Sequence, residues 1–234
     1  MICDNLTRIL NTIAQTARNA GRNPKNIKLV AISKWMDIEQ IQQAIDCGQI
    51  LFGENYLQEA SGKIQHFPRT INWHFTGHLQ SNKAKQAAEL FDVVETVDRL
   101  SVAQALDKHA KLLKKELSVL VQVNTGREKQ KSGIFPEETE HLLRLIAKET
   151  DLRILGLMTM PPFFADPEKS RPYFKELKNL AELLAAQDLF TDNNNVELSM
   201  GMSGDYPVAI QEGATIVRVG TALFGARDSK EALL

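Results

Sequence analysis

The chain has 234 residues, 43% of them hydrophobic and 24% charged, and its 28 basic and 29 acidic residues leave a net charge of −1. That balance provides no strong field to draw in nucleic acid or an acidic membrane surface, and no apolar run reaches membrane-spanning length. The two cysteines, Cys3 and Cys47, make neither a disulfide framework nor a metal spacing. Asp4 stands where a signal peptide would be apolar, so the cytoplasm is the expected compartment.

In chain order, Leu6, Ile9, Leu10, Ile13 and Ala17 fall at helical spacing and predict a helix over residues 4–20, stopped by Gly21 and Pro24. Short apolar runs then recur at 27–32, 50–53, 72–76, 92–97, 118–124, 153–159, 195–199 and 215–219, giving eight candidate strands. Helical patterns separate them, most clearly at 99–115, 137–149 and 172–187, with Ser170 and Pro172 suited to cap and open the last. The basic cluster Lys108–Lys115 reads as the wet face of a helix. Strand alternating with helix implies parallel pairing through crossover helices. Eight such units close more naturally into a barrel than into the alternative, a doubly wound open sheet. The expectation is a single (β/α)8 domain over residues 1–234, with an extra N-terminal helix at about 4–20 and the barrel at about 27–227.

In such a barrel the C-terminal ends of the strands form the site. The polar residues expected there are Ser33-Lys34, Gly53-Glu54-Asn55, Thr76-Gly77-His78, Asn124, Ser199 to Ser203, and Arg218 to Thr221, with Met158 among them. Alternation puts Lys34 on one face with Val30 and Ile32, where an amine loses solvation and gains nucleophilicity. The alternative is a lysine snorkelling to water. Arg218, between Val217 and Val219, needs a partner if its strand is covered on both faces. That partner is either Glu197 on the preceding strand or a ligand acceptor. Gly220-Thr221 and the stretch Ser199–Gly204 are small-residue loops after the last two strands, the usual phosphate position in this fold. His74 and His78 straddle a strand end without a third ligand and do not read as a metal site, and Trp35 and Trp73 read as barrel packing.

The segments LVAISK, FGENYLQE, WHFTGHLQSNK, VQVNTGREKQKSGI, GLMTMP and LSMGMSGDYPVAIQEGATIVRVGTALFGAR resemble the pyridoxal phosphate homeostasis protein family, in order over roughly residues 27–227. The family fold is similar to the barrel domain of alanine racemase. The resemblance implies that Lys34 forms a Schiff base with pyridoxal 5′-phosphate and that Arg218 faces the pyridine nitrogen. Gly220 and Thr221 would contact the phosphate, and Ser199, Gly201 and Ser203 would complete its cradle. Asn55 and His78 would lie near the ring, with Met158 as a wall. Trp35-Met36-Asp37 departs from the Thr-Lys-Pro common in the family, which affects the rim rather than the lysine.

An arginine keeps its proton and can only donate to the ring nitrogen, so the ring is a weak electron sink. No second domain that would bring a further base is expected. The expected function is therefore reversible holding of the cofactor, released by transimination or hydrolysis at Lys34; the resemblance implies that this serves vitamin B6 homeostasis. By the resemblance the protein is a monomer, and pyridoxal-phosphate-dependent apo-enzymes are candidate recipients. The alternatives are an amino-acid racemase or another Schiff-base enzyme, and a barrel for a different phosphorylated metabolite.

Overall fold

The computed structural model describes residues 1–225; Ala226 and Arg227, the last two positions of the expected barrel, lie outside the described residues. The strands are β1 (Lys28–Ile32), β2 (Leu51–Glu54), β3 (Asn72–Phe75), β4 (Val93–Val97), β5 (Ser118–Gln122), β6 (Arg153–Met158), β7 (Glu197–Ser199) and β8 (Ile216–Val219). They pair in parallel in chain order and close through β8 onto β1, with Lys28 opposite Ile216 and Ala31 opposite Val219. The expected eight-stranded α/β barrel with an N-terminal helix is the observed architecture.

The helices are α1 (Ile2–Asn19), α2 (Ile38–Asp46), α3 (Leu57–Ile64), α4 (Ala84–Leu90), α5 (Leu100–Leu112), α6 (Pro136–Glu149), α7 (Arg171–Ala185), α8 (Tyr206–Gln211) and α9 (Thr221–Phe224). Strand residues facing outward, such as Ala31, Phe52, Phe75 and Val217, join helix residues in the large core between barrel and helices. Val30, Leu120, Met158 and Ile216 form a separate cluster inside the barrel. A packed interior of this kind makes a floor rather than a pore.

α1 lies against α2, α8 and α9. It is tied there by Asn5 Nδ2 donating to the Leu223 carbonyl at 2.9 Å, and Arg22, just beyond the helix, donates to the Ile210 carbonyl at 2.7 Å. Its buried stripe is Ile2, Leu6, Ile9, Ile13 and Ala17, so Leu10, expected in that stripe, is instead 46% exposed. Gly21 leaves the helix with φ at +69°, a conformation that glycine adopts without penalty.

Several local expectations are corrected. Cys3 and Cys47 do meet, as a disulfide with Cα atoms 5.5 Å apart that joins α1 to the end of α2. Their 44-residue separation carried no such signal, because only the packing of the two helices brings them together. Ser170 does not cap α7 with its side chain; it is buried at the end of a 3₁₀ turn (Pro167–Ser170) whose own cap is Asp166. Trp73 packs against Phe52 and Phe67 as expected of a core residue. Trp35 does not: it is 44% exposed and lies against Tyr56 at the rim.

Gly77, just past β3, lets two strand ends approach closely. A Cβ there would sit 2.0 Å from the Asn55 carbonyl oxygen and 2.7 Å from its carbon, so backbone would have to shift. Gly77→Ala is expected to cost about 3 kcal/mol, the upper range for overpacking. Urea unfolding checks this; unchanged stability would mean that the two strand ends are not held so close.

Candidate functional site

The interior cluster of Val30, Leu120, Met158 and Ile216 is covered on the C-terminal side by polar side chains, and above these a cavity of about 320 Å³ opens. Ile32 and Lys34 reach it from the end of β1, Asn55 from β2 and Thr76 from β3. Met160, Pro162, Phe163 and Phe164 come from the loop after β6, and Met202 to Asp205 from the loop after β7. Arg218, Gly220, Thr221 and Phe224 complete it from β8 and α9. Parallel strands with a two-residue side-chain period account for this order, since Val30, Ile32 and Lys34 follow one another up a single face.

Lys34 is half-buried, with its Nζ 5.3 Å from the centre of the Trp35 ring. On the neighbouring strands the Ser203 hydroxyl accepts hydrogen bonds from the N–H groups of Gly220 and Ala222, both at 3.3 Å. Backbone donors of the loop after β8 thus converge on the Ser203 hydroxyl, beside the exposed Thr221. That is the chemistry of an oxyanion grip. Gly220 sits in a tight place: a Cβ would lie 3.3 Å from the Ile32 carbonyl oxygen. Asn55 Oδ1 accepts from the Thr76 hydroxyl at 3.0 Å, which fixes the amide on the opposite wall.

Beneath the cavity lies a buried charge network. Arg218 is 3% exposed and donates to Ser199 Oγ at 2.6 Å and to the Thr159 carbonyl at 2.8 Å. Ser199 Oγ donates to Glu95 Oε2 at 2.5 Å, and Glu95 Oε1 meets His74 Nδ1 at 2.5 Å. Glu95 lies 4.0 Å from the guanidinium. Burial alone would raise the Glu95 carboxyl, but the His74 hydrogen bond and charge, with Arg218 and Ser199, outweigh it and hold the group below its ordinary value. Burial pushes Arg218 down from its ordinary value, opposed by Glu95 and Asp205.

Six of the expected site residues line the cavity: Lys34, Asn55, Ser203, Arg218, Gly220 and Thr221. Four do not. Met158 is fully buried in the interior cluster one layer lower, and Met160 takes the wall position. Ser199 is fully buried and committed to Arg218 and Glu95, so it supports the floor rather than the phosphate loop. Gly201 is buried against Ala209 and Tyr206. His78 is exposed at the rim, its Nδ1 2.9 Å from Ser132 Oγ, while His74 points inward to Glu95. Glu197, offered as a partner for Arg218, pairs instead with Lys28 and Thr215 at the other end of the barrel. Glu95 was missed, although a carboxylate inside the apolar run at 92–97 is the same kind of signal as Arg218.

A sequence profile described as "Alanine racemase, N-terminal domain" matches residues 5–228. The pyridoxal phosphate homeostasis protein of Vibrio alginolyticus is 43% identical over 232 residues, covering 97% of this chain and 98% of that one. Its counterpart from Escherichia coli K12 is 40% identical over 233 residues, 97% of each chain. The chain belongs to the pyridoxal phosphate homeostasis protein family. Among solved structures, PipY of Synechococcus elongatus PCC7942, with pyridoxal phosphate bound, superposes with a TM-score of 0.82 at 32% identity, covering 96% of this chain and all of that one. The match to D-threonine aldolase from Filomicrobium marinum, at 17% identity and TM-score 0.72, speaks for the fold alone.

In this family member the network under the cavity yields a test. Glu95→Gln leaves the Arg218 cation without its buried counter-charge and should cost about 3–5 kcal/mol. Because the native Glu95 carboxyl binds its proton less readily than the unfolded one, its stabilisation is present above about pH 4.3 and lost as pH falls through the native value. Unfolding followed by circular dichroism from pH 7 to 3 should show a steeper loss in the wild type than in Glu95→Gln. Equal stability at pH 7 would show that Arg218 does not depend on Glu95.

Proposed function

We propose that the chain binds pyridoxal 5′-phosphate at this cavity through a Schiff base on Lys34, and holds it reversibly in the service of vitamin B6 homeostasis. The observation that carries the reading is the convergence of Lys34, Arg218 and the Ser203, Gly220 and Thr221 donors on one cavity. The donor set fits the cofactor group by group. An amine stands for the aldehyde, a buried cation for the ring nitrogen, and N–H and hydroxyl donors for the phosphate. PipY, 32% identical over nearly the whole chain, has been solved with pyridoxal phosphate bound, which supports the same ligand here.

When bound, the cofactor supplies an aldehyde that condenses with an amine and a ring that takes up electron density. Arg218, held by Ser199 and Thr159, would donate a hydrogen bond to the ring nitrogen but has no proton to give up. Thr221, Ser203 and the Gly220 N–H would orient the phosphate. Asn55, anchored by Thr76, would flank the ring. An arginine in this role favours holding over turnover, and this ranks the holder above a racemase acting on a small amino acid. By the family resemblance the protein works as a cytoplasmic monomer that supplies cofactor-dependent apo-enzymes.

Lys34→Ala should abolish the borohydride-reducible adduct while retaining phosphate-driven binding; a reducible adduct retained in full would place the attachment elsewhere. Thr221→Val should weaken cofactor retention by about 1 kcal/mol, the usual order for one lost hydrogen bond, as read by equilibrium dialysis. If chiral analysis of L-amino acids incubated with the loaded protein shows turnover that Lys34→Ala abolishes, the racemase reading replaces the holder.

A further inference from the structure

Lys34 does not belong to β1, which ends at Ile32, but to a turn that a second buried cluster grips from outside the barrel. The turn closes with the Met36 N–H donating to the Ser33 carbonyl at 3.0 Å, and Trp35 adopts φ +63°, a left-handed conformation that is unfavourable for a bulky residue. Ser33 faces away from the cavity. Its hydroxyl donates to Glu54 Oε1 at 2.7 Å, and its carbonyl accepts from Lys63 Nζ at 2.8 Å. On the other side of Lys34, the Trp35 N–H donates to Glu59. Lys63 joins the two sides, since its ammonium also reaches Glu59 and lies 3.3 Å from Glu54 Oε1.

This cluster is costly. Glu54 and Ser33 are fully buried and Lys63 is 9% exposed. Among the described residues, the second Glu54 oxygen, Oε2, has no hydrogen-bond partner. Burial raises the Glu54 carboxyl above its ordinary value, with Lys63 and Ser33 opposing. Apolar side chains of similar volume under α3 would be as stable or more so. What they could not do is hold the backbone on both sides of Lys34, because they offer no donor to the Ser33 carbonyl and no acceptor to the Trp35 N–H.

We propose that Lys63, with Glu54 and Glu59, is the positioning group for Lys34. It holds the strained Ser33–Trp35 turn so that the amine stands where the cofactor aldehyde arrives. The inference rests on the reading of Lys34 given above. In that step the Lys34 nitrogen bonds to the aldehyde carbon and the aldehyde oxygen leaves as water, carrying the two amine protons. Placement of the nitrogen governs the rate, and an error of about 1 Å is enough to slow such a step by orders of magnitude. Arg218 and the Ser203, Gly220 and Thr221 loops stand on other strands and would not feel the change; of the proposed contacts only Asn55, next to Glu54, lies near the cluster.

The test separates these two quantities. Stopped-flow absorbance with pyridoxal 5′-phosphate gives the rate of adduct formation, and calorimetric titration with pyridoxine 5′-phosphate, which lacks the aldehyde, gives the grip on ring and phosphate. Lys63→Met and Glu59→Ala should each slow the adduct by about tenfold or more, with the pyridoxine 5′-phosphate affinity held within about twofold. Glu59, partly exposed, carries the test if Lys63→Met fails to fold. Adduct rates within about twofold of wild type in a folded variant, or a parallel loss of rate and analogue affinity, would overturn the assignment. A wild type that forms no reducible adduct at Lys34 would instead overturn the underlying cofactor reading, and the positioning role with it.

Discussion

The pairing of β8 with β1 is the constraint on which the site depends. Lys34 and Thr221 are separated by most of the chain, and in an open sheet of the same strand order they would stand at opposite edges. Closure sets Val30 beside Arg218 and Ala31 beside Val219, so the residues just beyond each strand become neighbours across one cavity. The approach is close at Gly220. Gly220 passes so near the Ile32 backbone that a side chain would crowd it. The same glycine exposes the N–H groups that meet Ser203. One contact thus closes the barrel and shapes the loop proposed to hold the phosphate.

Around that seam, alternation along the strands divides the charged residues into two systems. Inward positions carry His74, Glu95, Ser199 and Arg218, which form a polar layer between the apolar floor and the cavity. Outward positions carry Ser33 and Glu54, which meet Lys63 from α3. Neither system is an economical way to gain stability, because taking charges out of water costs several kcal/mol per ion before their mutual attraction offsets it. Each fixes a functional group from behind: the inner one Arg218, the outer one the turn that bears Lys34. The cavity walls, by contrast, are mostly apolar and small residues whose identity constrains shape rather than charge.

The barrel was legible because its signals are local: eight apolar runs, helical patterns between them, and small-residue loops after the last two. Lys34, Arg218 and the Gly220–Thr221 turn were legible for the same reason, each being an unusual residue at a strand end. What strand periodicity does not carry is depth. Met158 faces inward as alternation requires, but it pairs with Ser199, which pairs with Ile216, and that puts it in the floor; the wall residue is Met160, two positions later. Alternation also expires with the strand, which is why His78, three residues past Phe75, turns to the rim. The partner of Arg218 was misread for a third reason. Adjacency favoured Glu197 on the next strand, whereas the real contact crosses the barrel interior from β4, a relation that no spacing encodes.

These separations bear on the proposed holding of a cofactor. Among the described residues the cavity draws its lining from the loops after β1, β2, β3, β6, β7 and β8, and none from those after β4 and β5. The amine and the small-residue loop after β8 therefore occupy neighbouring strands on one side of the mouth. On the proposed reading, a ligand held there by its phosphate and its ring nitrogen would keep its position while the bond at Lys34 is made or broken. Arg218 would also weaken the ring as an electron sink, since a guanidinium donates without surrendering its proton. The same hydrogen bond would anchor the ring.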